Sequence, residues 1–387
     1  MNIYLSFLQS KINHSIPAYS FWEYYIKNGI VEGGDEWQEG EVDWAEGLLY
    51  TLDKTKLAQW KTETWEKTVK DIQLKHNKKP ISCFLSYLYP HQVEEQAIRE
   101  IQKMGIPCVN FFCDNVREFT SAPKEFAVFD LNWVPEYKAL TLYKKAGHQY
   151  IHLPMPMWVE PKNRNLPTIE TNGVSFIGSV DVQRVLLFEE AVKKGLQINI
   201  YGKGWKDERV ETIIHEKNID KSGVKQTLVN QMVFLKRFGL AGFFRKMSQR
   251  NLQFNPSTNL EKSLKGKLTF EDYVTITKES AVTLGVNRYP SYHYPLNSPN
   301  TYSRLRDIEA PMLGACYLTE WTEGIDELYE VGKEIEVYSN GEDLKEKANE
   351  LLADKQKRMA LRQVGQERAL KQHSIHASLK KVNLTFK

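Results

Sequence analysis

Short apolar runs bounded by polar residues recur through the first 155 residues, at 2–8, 81–88, 106–113, 127–134 and 150–153, and this pattern predicts buried strands. Between the runs at 81–88 and 106–113, residues 93–104 place Ala97, Ile98, Ile101 and Met104 on one helical face. Strand, helix and strand at this spacing predict a parallel sheet. Pro154, Pro156, Pro161 and Pro167 then fall within fourteen residues, beside Lys162, Asn163, Arg164 and Asn165. Such a stretch suits neither a helix nor a central strand and marks a linker. A second alternating series follows, with a strand at 174–177, a helix at 182–194 and strands at 197–201 and 281–286. After Arg306 it continues through a helix to Met312, a strand at 316–319, a short helix at 325–329 and a strand at 334–338. Ser339 and Glu342 have the spacing of a capping box for the next helix, and Asp354 suits the cap of another.

The expected fold is therefore α/β, with two doubly wound Rossmann-like domains facing across a cleft. Residues 1–157 form the first domain and residues 158–387 the second, with an insertion at about 206–267 and a last helix packing back on the first domain. Ligands of such sheets sit beyond the carboxyl ends of the strands. The length of 387 residues fits two domains better than one core. Hydrophobic residues at 41% and charged residues at 26% are ordinary for a globular protein, which argues against disorder. A formal charge of +3 is not the footprint of a nucleic-acid binder. Cys83, Cys108, Cys113 and Cys316 lie in apolar segments without metal-type pairing, which fits reduced thiols in a cytoplasmic protein.

One segment breaks the alternation. Residues 221–260 hold seven basic residues (Lys221, Lys225, Lys236, Arg237, Arg245, Lys246, Arg250) and no acidic one. Met232, Phe234, Leu240, Phe243 and Phe244 are interleaved with them. That composition fits a helix lying in a membrane interface, drawn to anionic lipid heads, and gives peripheral contact with the inner face of the membrane. It fits equally an excursion packed on its own domain with a basic solvated face.

The densest chemistry lies between Ser303 and Cys316. Arg304, Arg306, Asp307 and Glu309 fall within six residues, just before the small-residue turn at Gly314. Arg306 and Glu309 share a helical face, as do Arg304 and Asp307. A guanidinium suits a diphosphate because its planar fork donates paired hydrogen bonds and stays charged, and a carboxylate can accept from both hydroxyls of a ribose. Spacing alone is equally consistent with surface ion pairs. Gly178 with Ser179, and Gly202 with Lys203, follow strands, where a bare backbone can approach a diphosphate. Asn287, Arg288, Arg304 and Lys203 are further candidates to neutralise it, and without an Asp-x-Asp motif no metal is expected.

The stretch 303–338, with Arg-Asp-Ile-Glu-Ala-Pro at 306–311, Gly314, Leu318-Thr319, Gly324, Leu328-Tyr329 and Gly332-Lys333-Glu334, resembles the carboxy-terminal signature of the CgeB-like glycosyltransferases. These belong to the GT-B class and are related to glycosyltransferase families 1 and 4. Phe176 to Ser179 with Arg184 after it, Tyr201 to Trp205 and Gly266 to Tyr273 agree in order, so the similarity spans most of residues 173–375. The resemblance implies a GT-B fold, a nucleotide-sugar donor and Glu309 as the ribose-binding glutamate. With it, residues 1–157 are expected to be the acceptor side and residues 158–387 the donor domain, and the basic, aromatic insertion points to work in surface glycan, lipopolysaccharide or capsule assembly. Retaining relatives usually carry a second glutamate eight residues earlier, where this chain has Thr301, so the anomeric outcome stays open.

An inverting transferase needs a general base near the acceptor hydroxyl. The candidates are His14, in the loop after the first strand, and Asp114, at the end of the strand at 106–113. The expected activity is transfer of a sugar from a nucleotide-diphosphate donor to a glycan or lipid-linked hydroxyl, with no nucleic acid and no cofactor involved. The alternatives are a degenerate GT-B protein that binds glycans without catalysis and a nucleotide-sugar epimerase.

Overall fold

A computed structural model describes residues 1–10, 18–51, 53–170, 172–205, 224–249, 256–289 and 295–386. By contacts the chain divides into two compact units, Met1–Trp158 with Lys371–Lys387, and Val159–Leu370.

The first unit runs β1 (Asn2–Ser6), α1 (Ala18–Glu32), β2 (Glu36–Glu39), α2 (Lys54–Lys78), β3 (Cys83–Ser86), α3 (Glu95–Lys103), β4 (Cys108–Phe111), α4 (Asn115–Glu118), β5 (Leu131–Val134), α5 (Leu140–Ala146) and β6 (Tyr150–His152). Its six strands pair in parallel in the order β2-β1-β3-β4-β5-β6. The strands β1, β3, β4 and β5 are buried at every position, which is why their sequences are apolar runs without alternation. Aromatic residues fill this core: Phe7 stacks on Phe111 at 5.7 Å, and Trp22, Tyr87 and Trp133 meet Phe111 edge-on. All four cysteines are buried and unpaired.

The second unit runs β7 (Asn172–Ile177), α6 (Val182–Lys193), β8 (Ile198–Tyr201), α7 (Val224–Gln249), α8 (Thr258–Glu261), β9 (Leu264–Gly266), α9 (Phe270–Glu279), β10 (Ser280–Gly285), α10 (Arg306–Met312), β11 (Tyr317–Glu320), α11 (Ile325–Leu328), β12 (Glu336–Tyr338), α12 (Gly341–Ala353) and α13 (Lys355–Gln372). Its parallel strand order is β12-β11-β10-β7-β8-β9. The order therefore reverses between β7 and β10, and their crossover connections leave in opposite directions. That divergence opens a crevice at the carboxyl ends of the two strands. The last helix, α14 (Ile375–Thr385), belongs to the first unit, where a Cβ on Gly29 of α1 would come within 2.4 Å of Ile375.

Two local expectations are corrected. The cap of α12 is Asn340, not Ser339: the helix starts one residue later than the capping-box spacing implied, and the extended Asn340 accepts from the amides of Glu342 and Asp343. In the basic segment, α7 spans Val224–Gln249 with a break at Gly239 (φ 68°), so it is two helical pieces and not one continuous helix. Lys221, Arg250 and the rest of 206–223 and 250–255 lie outside the described residues. Asp354 caps α13 as expected, accepting from the amide of Lys357.

Arg362 on α13 staples the second sheet from below. Its side chain is fully buried and donates to the carbonyls of Lys278 (2.7 Å), Ser280 (2.5 Å) and Gly314 (2.9 Å) and to Glu170 (3.2 Å), which Arg358 also holds at 2.5 Å. Removing one member of such a cluster strands the others without solvent. Arg362→Met is expected to lower stability by about 3 kcal/mol, read from the urea midpoint. Arg99→Met, which breaks an exposed pair with Glu95 on α3, should cost less than about 1 kcal/mol in the same titration.

Candidate functional site

The crevice between β7 and β10 contains a cavity of about 270 Å³ lined by Ile177, Gly178 and Ser179 after β7, Arg184 on α6, Val286 and Asn287 after β10, and Arg304, Arg306 and Glu309 around the start of α10. Its position follows from the strand order. Its chemistry follows from the residues between Ser303 and Glu309.

Two short extended pieces, 287–289 and 300–302, run antiparallel, with Tyr289 N–H on the Asn300 carbonyl (2.8 Å) and Tyr302 N–H on that of Asn287 (3.0 Å). Thr301 bridges to Arg288 in this ladder. The chain then turns into α10, which ends at Gly314 in the left-handed region (φ 77°), where a Cβ would meet Leu166 at 2.7 Å. Glycine is required there, and it fixes where the helix stops and β11 begins.

Three guanidiniums converge on the cavity. Arg304 donates to the Arg288 carbonyl at 2.5 Å and lies 4.2 Å over the Tyr302 ring. Arg306 donates to the Ile177 carbonyl at the end of β7 and lies 5.3 Å from the Tyr273 ring centre. Arg184 donates to the Ser179 carbonyl at 2.7 Å. Burial, and after it the like charge of Arg304, pushes the Arg184 pKa down to about 10. For Arg306 burial acts in the same direction, but Tyr273 and Glu309 outweigh it and leave the pKa raised. Glu309 is buried, and Tyr273 of α9 donates its hydroxyl to Oε2. Burial and then the Glu309 charge hold the Tyr273 pKa above its ordinary value, so the phenol keeps the proton it donates. The Arg304 Nε and Asn287 Oδ1 are buried without a hydrogen-bond partner among the described residues. A site with crowded cations and two unanswered polar atoms is built for an anion with hydrogen-bonding edges.

Of the residues singled out in the sequence, Gly178, Ser179, Asn287, Arg304, Arg306 and Glu309 are brought together here. Arg288 is not among the lining residues: it is buried on Glu320, with Nε 2.6 Å from the carboxylate. The Gly178 amide donates to the Tyr201 carbonyl and the Gly202 amide to that of Gly266, so both N–H groups are engaged. Gly202 (φ 137°) is explained by close passage, since a Cβ would stand 2.2 Å from the Gly178 carbonyl oxygen. Lys203 is exposed outside the cavity lining. Asp114 sits in the first unit, at the start of α4. His14 lies outside the described residues.

Arg184 and Tyr273, both inside stretches that carry the family resemblance, are site residues to which spacing assigned no role. Each is helical and sits far along the chain from Glu309. A third is Glu136, fully buried in the first unit, whose Oε2 accepts from the amides of Asn115 (2.5 Å) and Val116 (3.3 Å) next to Asp114. Burial and then Asp114 raise its pKa well above the usual carboxylate range. Among the described residues, no group of His, Cys, Asp and Glu is arranged to hold a metal ion, and no helix is long and apolar enough to cross a membrane.

Residues 184–382 match the family described as glycosyl transferase-like. No curated protein sequence matches the chain. Among solved structures, the chain is similar to sucrose-phosphate synthase from Thermosynechococcus elongatus, at 13% identity over 99% of this chain and 98% of that one, with a TM-score of 0.54. It is similar also to Anabaena HepE in complex with UDP and glucose (12% identity, 100% and 99% covered, TM-score 0.53). A glycosyltransferase from Rickettsia africae is a further likeness (9% identity, 100% and 97% covered, TM-score 0.56). At these identities the likenesses show the fold, two parallel six-stranded α/β sheets of the GT-B kind. With just over half of its length matched by the family pattern, the chain belongs to the glycosyl transferase-like family and has the GT-B fold.

Proposed function

We propose that the protein transfers a sugar from a nucleoside-diphosphate donor to a hydroxyl acceptor, and that the second unit binds the donor. The observation that carries this reading is the meeting of Arg184, Arg304 and Arg306 with the buried Glu309 at the switch point of the second sheet. In this reading Glu309 accepts from the donor's ribose hydroxyls, while the guanidiniums take the diphosphate. Negative charge grows on the leaving diphosphate as the sugar departs. Fixed cations stabilise that charge more than they stabilise the intact donor, and they fill the role a divalent metal has elsewhere. HepE, similar in fold, has been seen with UDP and with UDP-glucose, which supports the choice of ligand class.

Asp114 is the proposed base toward the acceptor if configuration inverts, with His14 the alternative. The proposed acceptor is a lipid-linked or surface-glycan intermediate of polysaccharide assembly, met by the CgeB-like chain at the inner membrane face. Support for a membrane partner comes from α7, where Met232, Leu240, Phe244 and Met247 are exposed beside Lys246 and Arg245. Lys246 itself lies 4.2 Å over the Phe234 ring. Exposed apolar residues next to cations suit a lipid surface with anionic head groups.

Three outcomes check these statements. Glu309→Ala is expected to weaken binding of the preferred member of a panel of nucleoside diphosphates by roughly 10- to 100-fold in calorimetry, the loss of a charged hydrogen-bonding pair. Asp114→Ala should bind that nucleotide unchanged while losing transfer; retention of full binding by Glu309→Ala would refute the ribose assignment. For the membrane, Leu240→Glu with Phe244→Glu should abolish flotation with vesicles of anionic lipid and leave nucleotide binding intact. Flotation equal to that of the unaltered chain would exclude α7 as the attachment.

A further inference from the structure

The Asp307 carboxylate is fully buried and does not line the cavity, yet its hydrogen bonds reach three separate parts of the second sheet. Oδ2 accepts from the Ser303 hydroxyl (3.0 Å) and the Arg304 amide (2.8 Å), which form the turn into α10. Oδ1 accepts from the hydroxyls of Tyr317 (2.8 Å) and Thr319 (2.9 Å) on β11, with the Asn287 amide 3.5 Å away after β10. Gly285, at the end of β10, makes room for this arrangement. A Cβ there would come within 2.1 Å of the Tyr317 oxygen and 2.2 Å of the Thr319 oxygen.

A carboxylate is an expensive choice for a buried joint. An apolar residue of similar volume holds elements together without desolvating a charge. Burial pushes the Asp307 pKa up, and only the donors arranged around it oppose that. What the carboxylate supplies, and a hydrophobe cannot, is direction, since each oxygen fixes its donors to within a few tenths of an ångström. Asn287, Tyr317 and Arg304 are held by it and also line the cavity, and of these Arg304 is the one that carries a positive charge. Its backbone is set by Asp307, while its guanidinium is set by the Arg288 carbonyl and the Tyr302 ring.

We propose that Asp307 is a positioning residue of the donor site: by joining the Ser303–Arg304 turn to β11 it sets where the Arg304 guanidinium meets a bound diphosphate. This rests on the reading of the cavity as a diphosphate site. Asp307 touches no ligand itself and acts through Arg304. Asn in its place keeps the shape but turns an amide donor toward groups that already donate.

The test is calorimetry of inorganic pyrophosphate with the full chain, as the unaltered protein, Asp307→Asn, Arg304→Gln and the double variant. Asp307→Asn is expected to weaken binding about 10-fold, and the double variant to bind no more weakly than Arg304→Gln alone, because coupled residues are not additive. Thr319→Val removes one donor from the same carboxylate and should weaken binding about 3-fold through the same coupling. It carries the test if Asp307→Asn does not fold. Binding by Asp307→Asn, or by Thr319→Val where it replaces that variant, equal to that of the unaltered chain overturns the role, as does a loss that adds in full to that of Arg304→Gln. Failure of the unaltered chain to bind pyrophosphate overturns the diphosphate reading, and the positioning role falls with it.

Discussion

Pairing of β7 with β10 is the constraint on which the second unit depends. Each strand is the first of its run, β7 leading outward to β8 and β9, β10 outward to β11 and β12. Their register, with Val282 opposite Val174 and Leu284 opposite Phe176, places both carboxyl ends at the same level. The loops that follow must then part, and the gap between them is filled by the turn into α10. Arg306 closes it by donating to the last carbonyl of β7, so the residue that faces the cavity also ties the helix to the sheet.

Crowding three guanidiniums into a small space works against itself: burial first, and the like charge of Arg304 after it, lower the pKa of Arg184. The protein restrains them with neutral dipoles in preference to ion pairs: carbonyls of Ile177, Ser179 and Arg288 and the faces of Tyr273, Tyr302 and Phe176. Such partners hold a cation in place without cancelling its charge. Arg288 shows the contrast. Paired with Glu320 in a buried ion pair, it is neutralised and outside the cavity lining, although in sequence it looked as eligible as Arg304. Among the described residues, Arg184, Arg304 and Arg306 make no such close ion pair, and Glu309 accepts from the Tyr273 hydroxyl.

The central strands were legible because burial on both faces makes them continuous apolar runs. The edge strands β2 and β9 were not. Glu-Trp-Gln-Glu and Leu-Lys-Gly are polar or glycine-containing, and nothing but pairing with a neighbour makes them strands. The long helix α2 escaped notice for a related reason, since it buries only Trp60, Thr64, Trp65, Thr68 and Ile72 of its 25 residues. At the site, contiguous residues from Arg304 to Glu309 could be found by spacing. Arg184 and Tyr273 lay in stretches that carry the resemblance, but their place beside Glu309 could not be read from spacing, because they come from distant helices. The glycines after the strands were visible, but the crowding at them was not: a Cβ on Gly202 would stand 2.2 Å from the Gly178 carbonyl oxygen.

The family match begins at residue 184 and so leaves the first unit's sheet outside it. Donor-side chemistry recurs among proteins that share a leaving group, and a recurring demand leaves a recurring motif. The first unit's sheet lies outside that match, and among its described residues is a local arrangement in which two carboxyls compete. Like charges this close raise the cost of ionising both, and burial decides between them. Glu136, fully enclosed and with Oε1 unanswered, is the one pushed toward its neutral form, while its other oxygen stays on the amides of Asn115 and Val116. Asp114 is partly exposed at the carboxyl end of β4. Of the pair it is the one within reach of solvent, while Glu136 fixes the backbone that follows it.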